Sequence, residues 1–162
     1  QPIEPATTAF GQGFSLTPLK LVQLHAMLAN EGRLVSPHIT RGFRSGAALA
    51  PAAPPSGQQL LRPEVTRTVL KWMESVVDQG SGKGVKTPGY RIGGKTGTAQ
   101  LGTTPASSHA WVVGFAGLPG QEAEIAVAVI VEAQPGASEQ TGGSVASPIA
   151  KAVIEAAFGL GG

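Results

Sequence analysis

The sequence predicts an α+β fold, a three-stranded antiparallel sheet with helices packed on it. Three observations carry that prediction. Residues 110–118 and 124–132 are apolar on both alternating faces and are joined only through Leu118-Pro119-Gly120, which makes them an antiparallel hairpin covered on both sides. The glycine-rich stretch 90–100 has the Tyr90/Ile92 spacing of a strand and is placed to pair with the first of the two. Three segments with helical apolar spacing lie before and after this sheet.

The first helix is opened by Thr17 as N-cap with Pro18 in the first helical position, and Gly32 lies just past its end. Leu19, Val22, Ala26 and Ala29 line one face and Leu21, Leu24 and Leu28 the adjoining one, so a buried central helix is expected. His25 on it reads as a satisfied core histidine, since no second histidine or carboxylate stands at ligand spacing. Residues 33–40 read as a short extended piece that Pro37 confines to a sheet edge, with His38 exposed. Residues 45–59 read as a mobile Pro/Ala loop.

Pro63-Glu64 opens a second helix, with the stripe Val65, Val69, Trp72/Met73 and Val76, stopped by Gly80. Residues 80–89 are expected to form a flexible basic loop in which Lys83 and Lys86 are solvated charges. After the polar stretch 133–142, a last helix over about 143–158 turns Ala146, Ile149, Val153 and Ala157 to the sheet.

Composition narrows the function. A chain of 162 residues with 41% hydrophobic and 14% charged content has enough apolar material for one globular domain. Twelve basic against ten acidic residues, with no basic cluster interleaved with aromatics, give no footprint for nucleic acid. With no cysteine there is no disulfide, thiolate metal site or thiol nucleophile. No run approaches the roughly 20 apolar residues of a membrane span.

The chemistry concentrates in Tyr90-Arg91-Ile92-Gly93-Gly94-Lys95-Thr96-Gly97-Thr98-Ala99-Gln100. From Gly89 to Thr96 the letters also satisfy the phosphate-loop pattern G-x-x-x-x-G-K-[ST]. That mechanism needs an apolar strand before the first glycine and a helix after the Lys-Thr, and neither pattern is present. As an extended strand the same residues can hold a peptide alongside. Lys95 then supplies a positive field, Thr96 and Thr98 supply hydroxyl donors, Gly97 clears room, and the Thr98 amide can face a developing oxyanion. Such a wall suits acyl transfer on a substrate that carries a carboxylate.

In these residues the chain resembles the C-terminal half of the transpeptidase domain of class B (monofunctional) penicillin-binding proteins, septal or elongation peptidoglycan D,D-transpeptidases with a β-lactamase-like fold. The likeness covers Gly11-Gln12-Gly13 with Leu16-Thr17-Pro18-Leu19-Lys20-Leu21, the stretch from Leu28 to His38, and Gly94-Lys95-Thr96-Gly97-Thr98-Ala99-Gln100. It continues through His109-Ala110-Trp111-Val112-Val113-Gly114-Phe115, residues 125–129 and the Gly142-Gly143 helix; the look of residues 8–24 leans to the septal type.

The resemblance implies that Lys95 supports a substrate or β-lactam carboxylate and a neighbouring serine. Thr96 and Thr98 would hydrogen-bond that carboxylate, and the Thr98 amide would form half of an oxyanion hole beside Gly97. It implies the D-Ala-D-Ala end of a stem peptide as substrate, β-lactams as covalent mimics, no metal or cofactor, and a place on the extracytoplasmic (periplasmic) face of the bacterial membrane through an anchor not contained in this chain.

The family also requires a Ser-x-x-Lys nucleophile and a Ser-x-Asn motif. Thr17 with Lys20 and Thr68 with Lys71 have the first spacing but a threonine, Ser147 to Lys151 is one residue too long, and no Ser-x-Asn occurs. No nucleophile of this chain is therefore expected. Residues 1–162 read as the C-terminal part of a transpeptidase domain whose N-terminal part is absent, inactive alone. The Gln1 start and the open edge of a three-stranded sheet point the same way. The alternative from another class is a non-catalytic interaction module or pseudo-enzyme that kept the scaffold.

Overall fold

The computed structural model describes residues 5, 8, 11, 13, 15–53, 56–103, 106–134 and 140–160. The Gly11-Gln12-Gly13 motif and residues 133–142 therefore lie partly outside the described residues. The sheet is as expected. Strands β5 (Arg91–Gln100), β6 (Ser108–Gly117) and β7 (Ile125–Val131) run in the order β5-β6-β7, both pairs antiparallel. Register sets Lys95 opposite Val113, Gly97 opposite Trp111 and Thr98 opposite Ala110. Strand β5 thus forms one edge of this sheet.

Both faces are covered, as the doubly apolar pattern requires. On one face Ile92, Ala110, Val112 and Ala116 meet Ala146, Ala150 and Ile154 of the C-terminal helical segment. On the other, Phe115 packs with Leu70 and Met73 of the second helix, with Leu28 and Ala29 of the first beside them. The helices are α1 (Pro18–Ala29), α2 (Pro63–Asp78) and α3 (Ser147–Ala157); the π-helical turn Gly142–Ala146 precedes α3. Among the described residues no helix is long and apolar enough to cross a membrane.

The caps of α1 follow the sequence. Thr17 accepts the Lys20 N–H at 3.2 Å, and the chain turns away at Gly32 with φ +87°. A Cβ on Gly32 would lie 2.2 Å from the Leu61 carbonyl oxygen, so glycine is required for close approach as well as for conformation. The expected burial of α1 is corrected: only Met27 is buried, and Leu19 is 61% exposed. It packs on β6 and β7 and beside α2, and Leu19 lies off that contact. His25 behaves as read, its Nδ1–H donating to the Leu21 carbonyl at 2.8 Å.

Residues 45–59 are not a structureless loop. Strands β2 (Gly42–Ser45) and β3 (Ala48–Pro51) form a hairpin, and β4 (Gly57–Gln59) pairs antiparallel with β1 (Arg33–Val35). Gln59 Nε2 donates to the Glu31 and Leu61 carbonyls at 2.8 and 2.6 Å, tying the return of this excursion to the end of α1. Backbone pairing needs no apolar side chains, so the Pro/Ala composition concealed it.

Helix phase also departs from the sequence expectation. In α2 the buried line is Thr66, Leu70, Met73 and Val77, while Val65 and Trp72 are 37% and 66% exposed. The period was read correctly and the face is rotated by one residue. Thr66 takes the inward place in the first turn because its hydroxyl donates to the Pro63 carbonyl at 2.9 Å, which satisfies it internally. In α3 the buried line is Ala146, Ser147, Ala150 and Ile154 instead of Ile149 and Val153. The π-turn adds a residue ahead of the helix and shifts its phase, and Ser147 is satisfied by donating to the Gly142 carbonyl at 3.1 Å.

Candidate active site

Strand β5 is extended through Gln100, so Lys95 and Thr96 lie mid-strand. The helix start that a phosphate loop needs is not formed there, and the nucleotide reading is set aside. Alternation puts Gly93, Lys95 and Gly97 on one face and Gly94, Thr96 and Thr98 on the other. Burial changes along the strand: Ile92, Gly93 and Gly94 are buried, Thr96 and Gly97 are half-buried, and Lys95 and Thr98 are exposed.

The first part of the strand is gripped by side chains. Arg91 Nε donates to Glu74 Oε1 of α2 at 2.7 Å, its second nitrogen donates to the Gln121 carbonyl at 3.0 Å, and its guanidinium lies 5.3 Å from the centroid of the Phe115 ring. Tyr90 stacks on Phe158 at 4.5 Å between centroids. The Phe115 ring fills the space where a side chain at Gly93 would stand, since a Cβ there would be 2.4 Å from it.

The second part rests on backbone. Gly142 of the π-turn comes so close to the rear of the strand that a Cβ would lie 2.1 Å from the Trp111 carbonyl oxygen and about 3 Å from Gly97 N and O. Thr141 caps this turn reciprocally with Ser144. Lys95 folds its ammonium onto the Thr96 carbonyl. The Thr96 hydroxyl meets the Ser81 hydroxyl at 2.6 Å.

That last contact corrects the reading of 80–89 as a loose basic loop. It contains a 3₁₀ turn (Lys83–Val85) with Val85 and Thr87 buried, and Lys86 pairs with Asp78 at 2.8 Å. Ser81 and Gly142 are the residues near the strand that the sequence reading left out of the site. The only local signal was the run of small residues on either side of each, which marks close backbone approach as readily as it marks a plain turn.

Each of the threonine and serine stand-ins for a nucleophile has another task. Thr17 caps α1, Thr68 donates to the Glu64 carbonyl at 2.9 Å, and Ser147 is buried against Gly142 while Lys151 lies 3.7 Å from Glu155. Among the hydrogen bonds of the described residues, none joins these hydroxyls to a lysine ammonium.

The fold is that of part of a penicillin-binding transpeptidase domain. An imipenem acyl-enzyme complex of penicillin-binding protein A from M. tuberculosis superposes with a TM-score of 0.76 at 35% identity, over 94% of this chain and 33% of that one. Over residues 1–155 the sequence matches the family described as the penicillin binding protein transpeptidase domain, and the chain belongs to that family. Peptidoglycan D,D-transpeptidase PbpA of Mycobacterium tuberculosis is 38% identical over 157 residues, which is 93% of this chain and 31% of the relative. Stage V sporulation protein D of Bacillus subtilis is 36% identical over 155 residues, 91% of this chain and 24% of the relative. The chain thus spans just under a quarter of one of these relatives and just under a third of the other.

Proposed function

We propose that this chain supplies the carboxylate and oxyanion side of a peptidoglycan D,D-transpeptidase domain, the C-terminal part of a larger catalytic unit. The observation that carries the reading is β5 as an edge strand with Lys95 and Thr98 exposed beside a half-buried Thr96 and a bare Gly97. A stem peptide ending in D-Ala-D-Ala would lie along that edge, its terminal carboxylate held by the Lys95 ammonium and the Thr96 and Thr98 hydroxyls. A serine outside these residues attacks the carbonyl of the penultimate D-Ala. The carbonyl oxygen gathers negative charge, which the Thr98 amide is suited to receive from the open edge of the strand. Collapse breaks the peptide bond and releases D-Ala, leaving an acyl-serine. The amine of a neighbouring stem peptide then takes the acyl group and frees the serine.

β-Lactams would enter the same way, in keeping with the acyl-enzyme state of the M. tuberculosis relative. No metal or cofactor takes part in this scheme. The substrate lies in the cell wall, so the reaction belongs on the extracytoplasmic face of the membrane.

The test is labelling by a fluorescent penicillin. The full-length protein encoded around this sequence should be labelled on a serine outside residues 1–162, and the isolated chain should stay unlabelled. A mass-confirmed serine adduct within the chain would overturn its assignment as the wall without the nucleophile. Full-length protein that folds and takes no label would favour the non-catalytic module.

A further inference from the structure

Ser81 lies 15 residues before Thr96, in the turn that leaves α2, yet its hydroxyl reaches the Thr96 hydroxyl at 2.6 Å. The main chain that carries it is held on several sides. The Gly80 and Gly82 amides both donate to the Val76 carbonyl at 3.0 Å, fastening the turn to the last residues of α2. Gly143 presses against it from the π-turn, where a Cβ would lie 2.9 Å from the Ser81 carbonyl oxygen. Gly84 sits against Ser147, where a Cβ would lie 2.7 Å from the Ser147 Cβ. The turn after α2, the π-turn and the lysine strand therefore meet at a junction of glycine backbones, and Ser81 reaches out of it toward the strand.

Two hydroxyls at this distance share one hydrogen bond, and either can donate. If Thr96 donates to Ser81, its proton is used up and it has only lone pairs to offer an anion. If Ser81 donates, the Thr96 proton is free to point onward. A carboxylate beside the strand selects the second arrangement, and the two bonds in series strengthen each other. We propose that Ser81 is a positioning residue, its hydroxyl donating to Thr96 and so aiming the Thr96 proton at the substrate carboxylate. The inference rests on the transpeptidase reading above and adds to it a residue outside the Lys-Thr-Gly-Thr strand.

The experiment compares acylation of the full-length protein by penicillin G and by its methyl ester, which lacks the anion. Ser81→Ala should lower the second-order acylation rate for the acid about fivefold and for the ester less than about twofold, the size expected for one lost neutral hydrogen bond felt at the carboxylate. Ser81→Thr should keep the acid-to-ester ratio of the parent. Ser81→Val, which differs from that variant by a methyl in place of the hydroxyl, should follow Ser81→Ala. The Thr and Val pair separates the hydroxyl from packing in case the alanine variant folds poorly. Equal losses on acid and ester, or equal ratios for the Thr and Val variants, would overturn the positioning role. A parent protein that reacts with neither compound would instead remove the transpeptidase reading, and this inference with it.

Discussion

Along the single strand β5, Arg91–Gly94 are fixed mainly by other residues' side chains, whereas Lys95–Thr98 are fixed mainly by backbone and one hydroxyl pair. The Phe115 ring, the Glu74 carboxylate and the Val77 side chain hold the first half. Gly142 behind Gly97 and Ser81 beside Thr96 hold the second. The difference has a physical sense. Side-chain packing is the stronger anchor but covers the surface it grips. Backbone-on-backbone contact through glycine stiffens a strand while leaving its side chains and open edge exposed. The peptide edge proposed above would be served by the second kind of support next to the first.

Substitutions can break this contrast one half at a time. Phe115→Ala should cost about 3–5 kcal/mol, since it empties the place beside Gly93 and removes the ring under Arg91. A loss of stability in urea unfolding of less than a third of that would show that the first half is not held by this ring. Gly142→Ala should cost about 1–3 kcal/mol, because the added carbon meets a carbonyl oxygen that cannot turn aside. Amide exchange should then quicken over residues 95–98 more than over 91–94, and uniform exchange would contradict the division.

Arg91→Ala should cost about 1 kcal/mol through the half-buried pair with Glu74, a smaller effect on the same half. Lys95→Ala should change stability by less than about 0.5 kcal/mol, the residue being exposed, while the proposed carboxylate role requires slower penicillin labelling of the full-length protein. A large loss of stability there would mean that the second half depends on its side chains after all.

A last test concerns α1, away from both halves. Burial holds the His25 imidazole below its ordinary value of 6.5, against a smaller upward pull from its bond to the Leu21 carbonyl. The unfolded chain then binds the proton more readily than the folded one. Stability should fall as pH drops below about 6.5, until the folded form also protonates. His25→Gln should flatten that part of the melting curve against pH; an unchanged slope would assign the effect to other groups.

The sheet was legible because its signal is strong. Residues 110–118 and 124–132 are apolar on both faces and closely joined, and the Lys-Thr-Gly-Thr stretch falls on the strand beside them. The helices were legible in period but not in phase. Thr66 and Ser147 look polar by letter, yet each donates to a carbonyl in its own turn and so packs inward. The strands β2, β3 and β4 were missed because their pairing is written in backbone geometry, which proline- and alanine-rich letters do not display. Ser81 was missed for a related reason. The contact that gives it meaning joins residues brought together only when α2, the π-turn and β5 have all been placed.

The π-turn at Gly142–Ala146 works as a rotary coupling between the strand support and the last helix. One residue corresponds to about 100° of helical rotation. Deleting a single residue there would swing Lys151 and Glu155 toward the places that Ala150 and Ile154 now occupy, putting charged side chains where the sheet now meets apolar ones. Apart from Gly142 and Gly143, the turn should therefore tolerate substitution far more readily than any change in its length.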